Sequence, residues 1–497
     1  MSPASLSLRH AAEQAGGELA LLAEGTTLTF AQLASCVAGV WHALVQQGVP
    51  LGPQAKVAVQ AHNSVETLLV LLALCESGTP FVPLHPRLTP AEAAVLIADA
   101  APGAVLSGDA ILELAQPPRT VAATAAAVMG FAALPPVDPM QPLAILYTSG
   151  TSGVPKGAVL SRAAFVASAA ASESNLGFLA DDRWLLCLPL CHVGGLSIVT
   201  RCLLSRRAIV LLPRPEPAAI IAAVSEQRAT LLSVVPTVLS NLLALPDVGA
   251  LRSLRAVLVG GAATPDPLYR ESLAAGLSVL RTYGLTEACS QVCTGRYAAR
   301  RQFQAGSGVP LPGLDVVIGS DDDSAAAGDE RGEITATPPG TPGRICLRGP
   351  MLMSGYLHRP ALAGRYFDTG DLGFVDESGA LHVLSRRSDL IVTGGENVYP
   401  AEVEGALLSC PGVAAALVFG VADARWGALV AAAVVPSEPT MSPSALSQLA
   451  KSVSARLAPF KRPRLWCQVA ALPQLPNGKP DRRRAAELFA AALLRID

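Results

Sequence analysis

The segment Tyr147-Thr148-Ser149-Gly150-Thr151-Ser152-Gly153-Val154-Pro155-Lys156-Gly157 places hydroxyls, three glycines and a lysine directly after the apolar run Leu143 to Leu146. Glycine lets the backbone come close to an anion and adopt positive φ, hydroxyl and N–H groups donate to phosphate oxygens, and Lys156 adds charge. The chemistry this suits is phosphate binding. It is not the Walker loop, whose G-x-x-x-x-G-K-[ST] spacing is absent. From these residues alone, a polar turn between a strand and a helix remains the alternative.

Other segments carry groups that could act with it. Gly260-Gly261-Ala262-Ala263 follows the strand-like run Ala256 to Val259, the place where doubly wound parallel sheets bind ligands. Pro189-Leu190-Cys191-His192 opens an apolar segment, and Arg201 stands nine residues after His192 within the otherwise apolar run Gly194 to Leu204. A buried arginine there needs an anion, whereas an exposed one would lay its stem on the surface. Tyr283-Gly284-Leu285-Thr286-Glu287, Phe367-Asp368-Thr369-Gly370-Asp371, Ser385-Arg386-Arg387-Ser388-Asp389, Thr393-Gly394-Gly395-Glu396-Asn397-Val398-Tyr399-Pro400 and Pro476-Asn477-Gly478-Lys479 complete the set. Taken singly, Glu287 reads as a surface acid and Lys479 as a solvated lysine on a turn. The ten cysteines show no paired spacing for disulfides or zinc; Cys187, Cys191 and His192 lie close together, but no fourth ligand cluster follows, so they read as buried thiols.

The elements that must position these groups follow from the hydrophobic rhythm. Apolar runs at Leu185 to Leu188, Ala208 to Leu212, Leu231 to Val235, Ala256 to Val259 and Leu277 to Leu280 alternate with helical patterns such as Pro217 to Gln227 and Asp266 to Ala275. Earlier in the chain the same rhythm gives strands at Lys56 to Gln60, Phe81 to Leu84 and Ala104 to Leu106, with helices at Val65 to Cys75 and Pro90 to Asp99. Such βαβ spacing predicts an α/β fold, a large amino-terminal domain of doubly wound sheets. A solvated loop is expected within Gly319 to Gly343, then shorter strands at Arg344 to Arg348 and Leu381 to Leu384. The polar cluster Ser385 to Asp389 marks the domain boundary, so residues 1–387 form the large domain and 388–497 a small mobile α+β domain. Its helices are expected at Ala401 to Leu408, with Glu402 and Glu404 in a first turn that favours acids, Ser444 to Leu457, and Arg482 to Leu494; its strands at Ala414 to Phe419, Leu429 to Val435 and Leu465 to Ala470.

At 497 residues the chain can bury more than one large core. A formal charge of −2, from 37 basic and 39 acidic residues, gives no electrostatic reason to bind nucleic acid or an anionic membrane. No apolar run approaches the roughly 20 residues of a bilayer span, and the first residues lack the apolar core of a secretory leader. These features, with the unpaired cysteines, predict a cytoplasmic protein with small-molecule partners and leave a homo-oligomer open.

The phosphate segment and the segments 189–192, 260–263, 283–287, 367–371, 393–400 and 476–479 resemble, in order and spacing, the motifs of the adenylate-forming enzymes: acyl- and aryl-CoA ligases, free-standing adenylation domains and luciferases. That resemblance implies ATP, Mg²⁺ and CoA as cofactor and co-substrates and a carboxylic acid as partner. It implies that Thr148, Ser149, Gly150, Thr151, Ser152, Gly153 and Lys156 hold the pyrophosphate, and that Gly260, Gly261 and Ala262 border adenine and the acid. Tyr283 and Gly284 would face adenine, Thr286 the α-phosphate, and Glu287 the metal. Asp371 and Arg386 would hold the ribose, Gly394 and Gly395 would belong to a loop that serves the CoA step, His192 would line and gate the acid pocket, and Lys479 would bridge carboxylate and phosphate oxygens during adenylation. The small domain would rotate about Ser385 to Asp389 between the two half-reactions; Ser388 and Ser385 replace residues common in the family at this hinge.

Within the family, the segments Leu188 to Ser197, Tyr283 to Gln291 and Ser385 to Pro400 are similar to the o-succinylbenzoate-CoA ligases. This implies an acid with a second carboxylate, met by Arg201, with Ser233 and Gly261 also at the substrate. Another aryl- or fatty-acyl-CoA ligase, an adenylation domain that loads a carrier protein, and a nucleotide-binding protein without catalysis are the alternatives. The presence of Lys156, Glu287, Asp371, Arg386 and Lys479 argues against the last.

Overall fold

A computed structural model describes residues 6–115, 128–148, 155–320, 334–386, 389–393, 396–423, 426–438, 440–454, 456–457, 459–475 and 480–496. Among the described residues the strands form sheets of nine, six, four, two and four members.

The nine-stranded sheet runs in the order Val309–Pro310, Ser290–Thr294, Val279–Leu285, Ala256–Val259, Leu231–Val234, Arg183–Leu186, Ala208–Leu211, Leu19–Ala23, Thr26–Thr29. From Val279–Leu285 to Leu19–Ala23 every pairing is parallel, and antiparallel hairpins close both edges. Ala208–Leu211, Leu231–Val234 and Ala256–Val259 are buried along their whole length, which is why their sequences, apart from Ser233, are apolar runs rather than alternating ones. The six-stranded sheet has the order Gly355–Tyr356, Lys156–Ser161, Pro142–Thr148, Phe81–Leu84, Val57–Gln60, Ala104–Leu106. The helix Val65–Glu76 is buried from Thr67 to Glu76 and apolar around most of its circumference, as a helix packed on all sides must be. Ser64 caps it, and a reciprocal Thr89–Glu92 capping box starts Pro90–Ala100.

A four-stranded antiparallel sheet, Asp315–Gly319, Gly343–Arg348, Phe367–Val375 and Leu381–Arg386, completes the large amino-terminal part. The small carboxy-terminal part holds the ribbon Ile391–Thr393 and Glu396–Val398. It also holds the sheet Val413–Asp423, Gly427–Pro436, Leu465–Gln468, Leu494–Arg495 with helices Pro400–Leu408, Pro443–Ser454 and Arg482–Phe489. The chain is thus a mixed α/β protein with a large domain of several sheets and a small carboxy-terminal domain.

Several expectations need correction. The strand expected at Leu277 to Leu280 begins at Val279 and continues to Leu285, so it includes Tyr283 and Gly284. The phosphate segment leads into the strand Lys156–Ser161, paired antiparallel with Pro142–Thr148, rather than into a helix. The strand Leu381–Arg386 runs into the polar cluster expected at the boundary, because Ser385 and Arg386 pair with Leu372 and Asp371. Glu404 does not serve the helix dipole: it is half-buried and accepts from Arg482 at 2.7 and 2.9 Å and from the Val418 N–H at 2.9 Å. The last helix ends at Phe489, and the chain turns so that Leu494–Arg495 can add an edge strand beside Leu465 and Trp466. Of the loop expected between Gly319 and Gly343, residues 321–333 lie outside the described residues.

Candidate active site

The carboxyl end of the nine-stranded sheet carries much of the constellation. The strand Val279–Leu285 delivers Tyr283 and Gly284, a single turn Thr286–Ala288 presents Thr286 and Glu287, and the chain returns antiparallel as Ser290–Thr294. That reversal is tight: Cys289 (φ 49°) and Ser290 (φ 93°) adopt the left-handed region in which a side chain is strained. Gly284 has no room for more, since a Cβ there would meet the Ser290 carbonyl oxygen at 1.9 Å. Gly284→Ala must therefore displace backbone. It is expected to lower stability by about 1–3 kcal/mol, as overpacking does, and an unchanged thermal midpoint would contradict this hairpin geometry.

Two contacts organise the strand's end. The Tyr283 hydroxyl donates to Asp371 at 2.5 Å, and Asp371, buried in Phe367–Val375, stands directly opposite Arg386 in the neighbouring strand. The aromatic ring and both residues assigned to ribose thus come together, although the Arg386 side chain itself is outside the described residues. On the other side, buried Glu287 accepts from the Tyr356 hydroxyl at 2.8 Å, and the Lys156 Nζ lies 5.5 Å from the Tyr356 ring centre. Lys156 is paired with Thr148, so the two described ends of the phosphate segment are held side by side in one antiparallel strand pair. Tyr147, the first residue of that segment, turns away and donates to Asp99 at 2.6 Å.

The donor set fits Mg²⁺. A hard cation takes oxygen ligands from carboxylates and hydroxyls, and Glu287 offers a carboxylate at the rim of a core that otherwise would not house one.

The residues assigned to the acid form a second group. His192 caps the start of the helix Val193–Ser205, and Arg201 lies nine residues further on, about 14 Å along the axis at the helical rise. Arg201 is 2 % exposed, which settles the choice between surface and core. Its guanidinium lies 5.4 Å from the Trp184 ring centre, and Nε and Nη2 find no hydrogen-bond partner among the described residues. Burial pulls its pKa down to about 10. Trp184 in turn donates its indole N–H to the Ser233 hydroxyl at 3.1 Å. Gly260 lies against Thr282, where a Cβ would meet its side chain at 2.6 Å, and Gly261 (φ +80°) is exposed beside Val235.

Residues 149–154, 394, 395 and 476–479 lie outside the described residues, and with them Ser149 to Gly153, Gly394, Gly395 and Lys479. Two participants were missed by sequence reasoning. Tyr356, on the two-residue edge strand Gly355–Tyr356, links Lys156 to Glu287. Asn63 donates to the carbonyls of Leu188 (3.0 Å) and Leu212 (3.3 Å) and accepts from the Leu190 N–H (2.9 Å), so it fixes the loop that delivers His192.

Comparison with known proteins decides what this assembly belongs to. Residues 8–357 match the AMP-binding enzyme family and residues 402–479 the AMP-binding enzyme C-terminal domain. The chain belongs to the adenylate-forming, AMP-binding enzymes. It is 35% identical over 475 residues to the 2-succinylbenzoate–CoA ligase of Bacillus mycoides (strain KBAB4), covering 94% of each chain. Among solved structures it is similar to o-succinylbenzoate CoA synthetase (MenE) from Bacillus subtilis in complex with the acyl-adenylate intermediate OSB-AMP. There the TM-score is 0.83 at 29% identity, over 96% of this chain and 97% of that one. ATP-bound MatB from Rhodopseudomonas palustris is as similar in shape, with a TM-score of 0.85 at 28% identity over 98% and 99%. The chain is accordingly an ATP-dependent, AMP-forming acid–CoA ligase of this family. Its homologues bind ATP, and one is held with ATP and a magnesium ion. No described helix is long and apolar enough to cross a membrane.

Proposed function

We propose that the acid is o-succinylbenzoate, joined to CoA in two steps. The carboxylate attacks the α-phosphorus of ATP, the bond to the β-phosphate oxygen breaks, and pyrophosphate leaves an acyl-adenylate. The CoA thiol then attacks the acyl carbon, gives up its proton and displaces AMP. Both steps ask the protein for position and charge neutralisation rather than covalent chemistry.

Tyr283 would offer its ring to adenine, and its bond to Asp371 would hold that ring while Asp371 and Arg386 take the ribose hydroxyls. Thr286 would donate to the α-phosphate, and Lys156 with the segment Thr148 to Gly153 would receive the departing pyrophosphate. Glu287 would hold Mg²⁺, which, when bound, neutralises phosphate charge as the α-phosphorus is attacked. Lys479 would bridge the reacting oxygens in the first step. Residues 388–497 would then rotate, with Gly394 and Gly395 serving the thiol step. His192 would line the mouth of the acid pocket, and Gly260, Gly261 and Ala262 would border adenine and acid.

The observation that carries the choice of acid is Arg201. A fully buried guanidinium with two nitrogens lacking partners among the described residues is costly unless an anion meets it. The reacting carboxylate is needed at the α-phosphorus, so that anion would be a second carboxylate on the same acid, with Ser233 and Trp184 beside it. The names of the relatives, 2-succinylbenzoate–CoA ligase and o-succinylbenzoate CoA synthetase, agree. The equal likeness to MatB makes a different acid the alternative. The test is product analysis: with ATP, Mg²⁺, CoA and o-succinylbenzoate the enzyme should form the acid's CoA thioester and AMP in equal amounts. AMP formation with other acids but not with o-succinylbenzoate would overturn the proposal.

A further inference from the structure

The large domain holds a group of nitrogen and sulfur donors of which the adenylation reading uses only His192. His85 follows Phe81–Leu84 at the carboxyl end of that strand in the six-stranded sheet; Cys191 and His192 follow Arg183–Leu186 at the carboxyl end of that strand in the nine-stranded sheet. The potential ligand atoms of His85, Cys191 and His192 all lie within 4.8 Å of one another. The two imidazole rings are 5.7 Å apart between centres. Cys191 is buried and both histidines are half-buried, so the group lies at the edge of the core. Cys187, the other cysteine near His192 in sequence, is elsewhere, directed at the Ser233 carbonyl oxygen.

We propose that His85, Cys191 and His192 form a binding site for a zinc-type divalent cation that clamps the two sheets together at the mouth of the acid pocket. Two imidazole nitrogens and one thiolate suit zinc, with water in the fourth position, and exclude Mg²⁺, which prefers oxygen. Binding replaces the Cys191 S–H bond with a metal–sulfur bond and releases the proton to solvent. Without a cation, burial pushes the Cys191 thiol up to about 12, so it remains protonated. Coordination through His85 Nδ1 would displace one hydrogen bond, from the Arg87 N–H at 3.0 Å, which is exposed and therefore easily replaced by water. Because His192 is both a ligand here and the proposed gate of the acid pocket, zinc should inhibit adenylation. That consequence rests on the proposed role of His192, whereas the metal site does not.

Cobalt and zinc titrations of the whole enzyme test the site. Cobalt should bind at one equivalent with a thiolate-to-metal charge-transfer band, and zinc should displace it. Cys191→Ser should abolish the band, and both Cys191→Ser and His85→Gln should weaken zinc at least about tenfold, since losing a ligand costs no less than losing the group that orients one. The partly exposed His85 provides the second variant should Cys191→Ser fold poorly. Absence of the band, or zinc affinity within about threefold of wild type in His85→Gln, overturns the site. Zinc binding with undiminished adenylation would keep the metal site and remove His192 from the acid pocket.

Discussion

Lys479→Ala is expected to reduce adenylate formation by about 10²–10³-fold or more, the usual cost of removing a donor aimed at developing charge. Thioester formation from pre-made acyl-adenylate should be largely spared. On either side of the segment that carries Lys479, Gln474 and Pro480 form an antiparallel bridge, and the Asp481 N–H donates to the Pro473 carbonyl at 3.0 Å. In the proposed cycle the lysine serves the first conformation and is withdrawn before the thiol arrives. Pyrophosphate exchange and single-turnover thioesterification separate the two effects. Equal loss in both half-reactions would refute the assignment.

Arg201→Ala should raise the KM for o-succinylbenzoate steeply and leave the KM for ATP almost unchanged. Losing a charged partner in a desolvated site costs about 2–5 kcal/mol, roughly 30- to several-thousand-fold in kcat/KM. A purely structural role, a guanidinium stacked on Trp184 and nothing more, would instead lower the thermal midpoint and affect both substrates alike. Arg201→Lys sharpens the distinction: it retains charge while losing the planar stack and the forked donors. Partial recovery of the KM for the acid, without recovery of the stack, would assign the residue to the substrate.

How much of this was legible in the sequence depended on how far each signal reached. The buried parallel strands were found because sheets covered on both faces demand unbroken apolar runs, as in Ala256–Val259. Arg201 was found because one cation in an apolar helix is conspicuous. Asn63 gave no such signal, since its partners Leu188 and Leu212 lie 125 and 149 residues away. Tyr356 sits in a strand too short for any period, and its value depends on Lys156 and Glu287 meeting it in space. Glu404 was misread because a local rule, acids near helix starts, competed with a partner 78 residues distant, Arg482. His85 likewise joins Cys191 and His192 only when two sheets are set side by side. Local patterning thus fixed elements and motifs, while side chains that bridge distant elements emerged only with the fold.

The central claim, that the acid carries a second carboxylate met by a buried arginine, is tested most directly by ATP–pyrophosphate exchange across carboxylic acids. The panel should include o-succinylbenzoate and its monocarboxylic counterpart benzoate, assayed with wild-type enzyme and Arg201→Ala. The account predicts that o-succinylbenzoate supports the fastest exchange in the wild type and loses at least about 30-fold in kcat/KM in the variant. Benzoate should be poor in both. A wild-type preference for benzoate, or a change below about threefold for o-succinylbenzoate in the variant, would contradict it.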